Sequence, residues 1–583
     1  MKNVSRRNAK QNILAERFAR KNVSGSRDFR MVMIAGGYWA GCLLGRFLCK
    51  MQLIYGVTVV VIGFIVALIA LFCVQYKNVS WGRTISLIAY VSLVACMASY
   101  FSQCVLYQDV IMREIQAGNA TQLTYSKNYE TKRNYYKSDH DAEFTLVTPL
   151  RASQSFNGDC QATVRVHNFD GQKSNVTTRF YAYNPLCNKL SYGMRVNVPV
   201  SVSASRYDNT RPELHVEKLQ QNARVARVVK RADFWHRSVS GLWKSFYEVT
   251  NQLDAQGRML VPGVTIGMLG QEYVPTEATN SLNTIDATYA NMTRQHFQHA
   301  GIMHVMAVSG GHFLLLSMII YRCCAYLLLP RWVTSSIQIV LQIALAAIVY
   351  PSASVLRALI MGIISAIAFC LKRPYQSASA LSWTVIGVLL VNPSYAWDYA
   401  FSLSVAATLG IVIMGVPLSK ILLRYMPSFI ASAISITFSA QFWTMPVQIL
   451  MQPEVSFMSI PANVIAAPLM EWSTVCGLIS LISAGFCSAL SLTFAQLSAI
   501  GTGFMEKCAC YCDEISFGVF PWMKGTAGAC LMAFVELIIF AIFMLSYRSL
   551  YKRNSIQRMS IIGQLFSSSF KRMLSDAEQI FEE

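Results

Sequence analysis

The residues best able to do chemistry lie in one stretch, His299-Ala-Gly-Ile-Met-His304-Val-Met-Ala-Val-Ser309-Gly310-Gly311-His312, set within apolar sequence. Two adjacent glycines weaken a helix by about 1 kcal/mol each relative to alanine. Non-helical backbone at membrane depth survives only against protein or a water-filled cavity. Histidine at that depth is costly and usually faces an interior path. A tight helix crossing with one hydrogen-bonded histidine accounts for the same residues equally well. Farther along, Ser352-Ala-Ser-Val-Leu-Arg357 puts an arginine just inside an apolar run, and Trp397-Asp398 opens another helix. On physics alone Asp398 reads as a helix cap. Gln441, Pro446, Asn463 and Pro468 interrupt otherwise greasy segments. Taken together, these positions predict a helix bundle with a polar interior, as a conduit or transporter needs.

Metal and covalent chemistry find little support. Cys508, Cys510 and Cys512 have an i, i+2, i+4 spacing, which scatters ligands around a helix. His296, His299 and His304 lack a second ligand cluster. No metal, cofactor or catalytic set is assigned, and no phosphate-binding glycine loop suggests an ATPase within the chain.

These positions must be held by membrane helices. The chain is 54% hydrophobic and 14% charged, whereas soluble domains are about a quarter charged. Long stretches almost free of charge include Leu53–Val74, Ile85–Tyr107, Ile434–Met451, Trp472–Leu492 and Ala527–Tyr547. A bilayer core needs about 20 apolar residues per helix, so 583 residues leave room for roughly ten spans and one soluble domain. The first apolar run follows a basic tail and shows no cleavage site of the secretory kind. The net charge of +20 is concentrated in part in residues 1–30 and 548–583. Positive charge beside spans stays in the cytoplasm, which puts both termini inside. Three N-terminal spans would then place Arg46 and Lys50 at an exterior turn, against that trend.

One segment breaks the pattern. Within residues 109–221, after a polar linker, five short runs have strand character: Phe144–Leu150, Gln161–His167, Val176–Tyr183, Met194–Val202 and Glu213–Glu217. In the fourth, Val196, Val198, Val200 and Val202 alternate with Arg195, Asn197, Pro199 and Ser201, as on a strand with one buried face. Turn residues at Asn157-Gly158-Asp159, Asp170-Gly171 and Asn184-Pro185 separate the runs. Five strands of this length fit an OB-like barrel, with a sandwich fragment as the alternative. Cys160 and Cys187 are the two cysteines of this region, and a lone pair suggests a disulfide in an oxidising exterior. Two unrelated buried thiols are the other reading. Residues 222–250 interleave Arg224, Arg227, Lys230, Arg231, Arg237 and Lys244 with Trp235, Trp243 and Phe246. This predicts a basic amphipathic helix on anionic lipid, although a phosphate-holding surface has the same composition.

The predicted architecture is a polytopic α-helical membrane protein with an inserted extracytoplasmic OB-like β-barrel. Its parts are a basic tail (1–30), N-terminal helices (31–108), the barrel with its linker (109–221), the amphipathic helix (222–250), a transmembrane domain (251–547) and a second tail (548–583).

The motifs also carry a family likeness. Phe297 through His312 resembles the signature of the ComEC family of competence DNA-uptake channels. Ala353-Ser-Val-Leu-Arg357-Ala-Leu-Ile-Met361 resembles that family's next motif. Asn392-Pro393 leading to Phe401-Ser-Leu-Ser404 follows, and then Asn463 through Pro468 after Gln441 and Pro446, in family order over about residues 255–480. Gly311 stands where the family usually has a larger apolar residue. Longer members end in a metallo-β-lactamase-like domain, which needs a histidine-rich motif. All eight histidines here lie at or before His312 and none forms a His-x-His pair, so the resemblance implies a form without that domain and a separate nuclease.

The resemblance implies a non-enzymatic channel in the cell membrane that conducts one strand of transforming DNA. Arg165 and Arg179 would act as groove cations on the barrel, with Phe180, Tyr181 and Tyr183 as stacking faces. His304, Ser309, Gly310, Gly311, His312, Arg357, Asp398, Gln441 and Asn463 would line the path, with Arg357 meeting phosphate. The implied partners are a surface DNA receptor and a cytoplasmic ATPase or helicase. A secondary transporter for a small solute explains the polar interior but not the barrel. An intramembrane enzyme using His304 or His312 lacks a nucleophile–base pair.

Overall fold

The computed structural model describes residues 29–49, 80–116, 140–153, 159–184, 186–205, 211–216, 226–274, 285–515 and 518–547. The apolar run at 51–75, both basic tails apart from residues 29 and 30, and most of the polar linker lie outside them. The chain divides into two compact units, one of Met1–Thr408 with Ser456–Val519, the other of Leu409–Val455 with Phe520–Glu583.

In the first unit, α1 (Arg30–Cys49) and α2 (Ser80–Tyr107) pack closely. The cause is a run of glycines spaced by four. A Cβ on Gly41 or Gly45 would strike the carbonyl oxygens of Ser92 and Cys96, so the small residues let the two backbones approach. Arg46 lies 4.5 Å from the centroid of the Trp397 ring, and Trp39 donates to the Ala396 carbonyl at 2.8 Å. The charge that strained the topology expectation is thus held against an aromatic face.

A short helix, α3 (Val110–Gln116), leads to the β-domain and buries Ile111 in its core. The strands are β1 (His140–Leu146), β2 (Arg151–Ala152), β3 (Cys160–Phe169), β4 (Gln172–Lys173), β5 (Thr177–Ala182), β6 (Arg195–Ala204), β7 (Pro212–His215) and β8 (Arg227–Lys230). Five of them close into a barrel in the order β1-β3-β5-β7-β6, with β6 returning to β1. Only β5 and β7 pair in parallel among these neighbours. Val196, Val198, Val200 and Val202 point into the core with Phe144, Val164, Val166 and Leu214, as their alternation requires. Cys160 and Cys187 are joined as a disulfide across 27 residues.

The expected amphipathic helix over 222–250 is shorter than read. Arg227–Lys230 is a strand paired with β6, and α4 begins only at Phe234 and runs to Thr250. The β-branched pair Val228–Val229 favours extended backbone, and that local preference prevails. Trp243, Phe246 and Tyr247 bury one face of α4, while Phe234 and Trp235 remain exposed beside Arg231 and Arg237.

The remaining helices of this unit are α5 (Ala255–Ile266), α6 (Ala287–His299), α7 (Gly310–Tyr326), α8 (Arg331–Ile348), α9 (Ala353–Cys370) and α10 (Ser377–Val391), and, beyond α11 (Tyr399–Gly410), α14 (Ser459–Ser483) and α15 (Ser488–Asp513). A polar strut ties the barrel to them. Arg151 of β2 donates to the Gly267 carbonyl at 3.1 Å, stacks 3.4 Å from the Tyr350 ring centroid and reaches Glu272 at 3.6 Å. Glu272 in turn pairs with Arg294 of α6 at 2.8 Å.

In the second unit, a π-turn (Ile411–Gly415) leads into α12 (Val416–Leu422), which packs beside α13 (Ser428–Met451). A Cβ on Gly410 would lie 2.5 Å from the Ser439 carbonyl oxygen, so this close approach requires glycine. The apolar helix α16 (Gly525–Tyr547) completes the unit.

Among the described residues, seven helical stretches are long and apolar enough to cross a membrane. They are α1, Ser86–Tyr107 of α2, α8, α9, Tyr399–Leu422, α14 and α16. Length and composition make this a membrane protein.

Candidate functional site

Arg357 is the centre of the site. Ser352 caps α9 by accepting from the Val355 amide at 3.3 Å, which places Arg357 just past the first turn, 8% exposed. Its Nε donates to Ser404 Oγ at 2.7 Å, and Nη1 approaches Met361 Sδ at 3.3 Å. Ser404 also donates to Ser354 at 3.3 Å. Every one of these partners is neutral. No carboxylate among the described residues stands within ion-pair distance of the guanidinium. Desolvating a cation costs several kcal/mol unless an opposite charge offsets it, so this site is short of an anion.

The start of α7 faces the same guanidinium. An added Cβ on Gly310 would lie 3.2 Å from Arg357 Nη2, so the backbone comes close because no side chain intervenes. A 17-residue helix carries partial positive charge on its first amides. Ser309 is the N-cap and accepts from the Gly311 amide at 3.3 Å. His312 completes the cap: its Nδ1 accepts from the Ser309 amide at 3.3 Å and its Nε2 contacts the Val264 carbonyl at 2.9 Å. The carbonyl can only accept, so Nε2 carries the proton. Thr474 Oγ1 stands 3.3 Å from the same nitrogen.

These contacts correct one expectation. His312 is buried among Val264, Ser309 and Thr474, so it fixes the helix start and does not line a path. Asn463 acts similarly on the preceding turn. It is buried, and its amide donates to the Ser459 carbonyl at 2.7 Å and to the Gly301 carbonyl at 3.4 Å. Gly301 needs the support: its φ of +67° suits glycine, and a Cβ there would lie 2.5 Å from that of Ser459. Asp398 is the cap physics suggested, accepting from the Phe401 amide at 2.9 Å. His304 is exposed in a 3-10 turn, Met303–Met306, and Gly311 is exposed beside Gly310. Gln441 lies in the second unit, where it donates to Gln448 at 3.2 Å along α13.

On the barrel, Arg165 and Arg179 are exposed on the outward face, and Tyr183 is partly exposed. Phe180 and Tyr181 are corrections. Phe180 is 0% exposed and packs on Phe144 inside the barrel. Tyr181 is buried face-to-face on His215, with centroids 5.0 Å apart. Neither ring is open to a base. Arg195 extends the basic face but pairs with Glu143 at 2.8 Å. His167 lies between them and bonds Thr145 Oγ1 at 2.9 Å. Burial first, then Arg195, lowers its pKa below the ordinary histidine value.

Sequence reasoning passed over Ser404 as the arginine's partner, and the family motif Phe401–Ser404 was the signal for it. It also passed over the bridge in which His296 and His299 share the Asp513 carboxylate, at 2.6 and 2.5 Å. Residues i and i+3 on α6 can share one acceptor in this way.

The fold and site define a helical membrane protein with a buried, anion-short cation at a helix N-terminus. Residues 287–548 match the family model described as "Competence protein", and this helical region is a domain of that family, as the ComEC-like motifs indicated. Over 205 residues the chain is 25% identical to ComE operon protein 3 of Bacillus subtilis (strain 168), covering 34% of this chain and 25% of that protein. It is 31% identical over 166 residues to an uncharacterized protein of Aquifex aeolicus (strain VF5), covering 27% of this chain and 38% of the relative. The matched stretches thus span well under half of these curated relatives. No solved structure matches the chain.

Proposed function

We propose that this protein conducts DNA, as a single strand, across the cytoplasmic membrane during competence, without bond chemistry of its own. The observation that carries the reading is Arg357, a buried guanidinium with neutral partners only, beside the Ser309-capped N-terminus of α7. Phosphate suits both features: it takes charge-assisted bonds from arginine and binds at helix N-termini. The competence family match over the helical domain supports the same cargo.

In this reading the β-barrel is of OB type and lies outside the cell, and both termini are cytoplasmic. The barrel order β1-β3-β5-β7-β6 with one parallel pair suits that fold. Arg165 and Arg179 collect the phosphate backbone, with Tyr183 as the remaining stacking face. Exposed Phe234 and Trp235 beside Arg231 and Arg237 rest on anionic lipid. A surface receptor delivers the DNA, a separate nuclease removes one strand, and a cytoplasmic ATPase or helicase draws in the other.

The test is uptake of fluorescent double-stranded DNA in cells with and without the gene, scored before and after external nuclease. Deletion should leave surface-bound DNA and abolish the nuclease-protected signal. Protected DNA accumulating without the gene would refute the reading.

A further inference from the structure

We propose that Glu536 is a proton-binding site inside the membrane domain, going beyond the DNA reading and independent of it. Glu536 is the sole charged residue of α16, at its middle. It is 8% exposed, and its Oε1 is sealed from solvent with no hydrogen-bond partner among the described residues. An acid held this way in an apolar helix is expensive, and such residues mark ion or proton routes.

Packing shows which way the carboxyl faces. Ala529 and Met532 pack against Ile449 and Val455, and Phe540 meets the Trp443 ring edge-on with centroids 5.5 Å apart. Glu536 falls one turn from both Met532 and Phe540, so it shares the stripe that faces α13. The contacts run in opposite chain directions, which makes the two helices antiparallel and sets Glu536 at a level between Trp443 and Ile449.

Among the described residues no countercharge pairs with it. From Ser428 to Met451, α13 has no titratable side chain. The other titratable groups on these packed elements are Cys530 and Tyr547 of α16 and the exposed Glu454. Without a cation, a carboxylate has nothing to offset its desolvation, and a neutral acid is the cheaper form. The interface nevertheless offers a partner type for each state. Trp443 Nε1 is a buried donor with no partner among the described residues, suited to a carboxylate. Pro446 has no N–H, so the Phe442 carbonyl lacks its usual helical donor and suits a protonated acid. The step is a plain exchange: a hydronium ion gives its proton to the carboxylate, and water takes it back when the helix pair admits it.

The full-length protein is tested in lipid vesicles by infrared difference spectroscopy and by the decay of an imposed pH gradient. Glu536→Gln should abolish the carbonyl band of a protonated carboxylic acid seen in the unsubstituted protein at neutral pH. Glu536→Asp should keep it. Gradient decay should slow in Glu536→Gln, with no matching change when a sodium gradient replaces the proton gradient. An unsubstituted protein without that band, or a band and gradient decay unaffected by Glu536→Gln, overturns the proposal. Sodium-dependent flux lost in Glu536→Gln would make the site one for a metal cation and would equally overturn it. Neither readout involves DNA, so this proposal and the uptake reading fail separately.

Discussion

Replacing Arg357 with methionine should separate stability from function. In the free protein the guanidinium has paid for its desolvation with one charge-assisted bond, to Ser404 at 2.7 Å, and a sulfur contact. A hydrogen bond to a charged group contributes about 1.5–3 kcal/mol, while burying the ion costs several kcal/mol. Methionine fills much of the same volume without that penalty, and replacing buried charge with apolar groups is often neutral or stabilising by about 1–4 kcal/mol. Denaturation in detergent micelles should therefore find Arg357→Met at least as stable as the parent. Nuclease-protected uptake should fall by about 10- to 100-fold, the equivalent of one lost charge-assisted phosphate contact at 1.4 kcal/mol per decade. Arg357→Lys keeps the charge but loses the Nε bond and the fork, so it should restore uptake only in part. If Arg357→Met loses stability and uptake together, the arginine is a structural brace, and the argument from its missing counter-ion is wrong.

Other outcomes follow from the same geometry. Gly301→Ala should destabilise the helical unit by at least about 1–2 kcal/mol, because φ is +67° and Ser459 crowds the new Cβ; thermal unfolding reads this. Breaking the Cys160–Cys187 link should cost about 3–4 kcal/mol for a 27-residue separation, seen as faster hydrogen exchange of barrel amides. Because the folded pKa of His167 is depressed, its contribution to barrel stability is complete above about pH 6.5 and is lost as pH falls through the lower folded value. An acid titration of barrel unfolding should show this loss, and His167→Gln should remove that component. Alanine at Arg165 or Arg179 should each reduce the salt dependence of DNA binding by about one charge in the log–log slope.

Much of the barrel was legible because strand alternation is local: Val196 to Val202 announced a buried face without knowledge of its partners. The strand pairing was not legible, since β5 pairs with β7 from a distant part of the chain. For the same reason Phe180 and Tyr181 read as surface aromatics. A run of strand residues does not say which of its faces meets the core, or that His215 covers the other. Arg357 stood out by type alone, yet its partner Ser404 is 47 residues away, and only the fold brings them together. The glycines of α1 and Glu536 were hidden for a different reason. Both sit in segments whose apolar content already accounted for them, which masked the single positions that carry the contact or the charge.

The Arg151 strut has a mechanical consequence. Glu272 is held from one side by the barrel and from the other by Arg294 of α6, and the chain from α6 runs on to Gly301 and the cap of α7. A pull on β2 therefore has a short, polar load path to the backbone beside Arg357. Force applied to the barrel would therefore reach the backbone at the start of α7 through two ion pairs, so barrel and helix start behave as two ends of one lever.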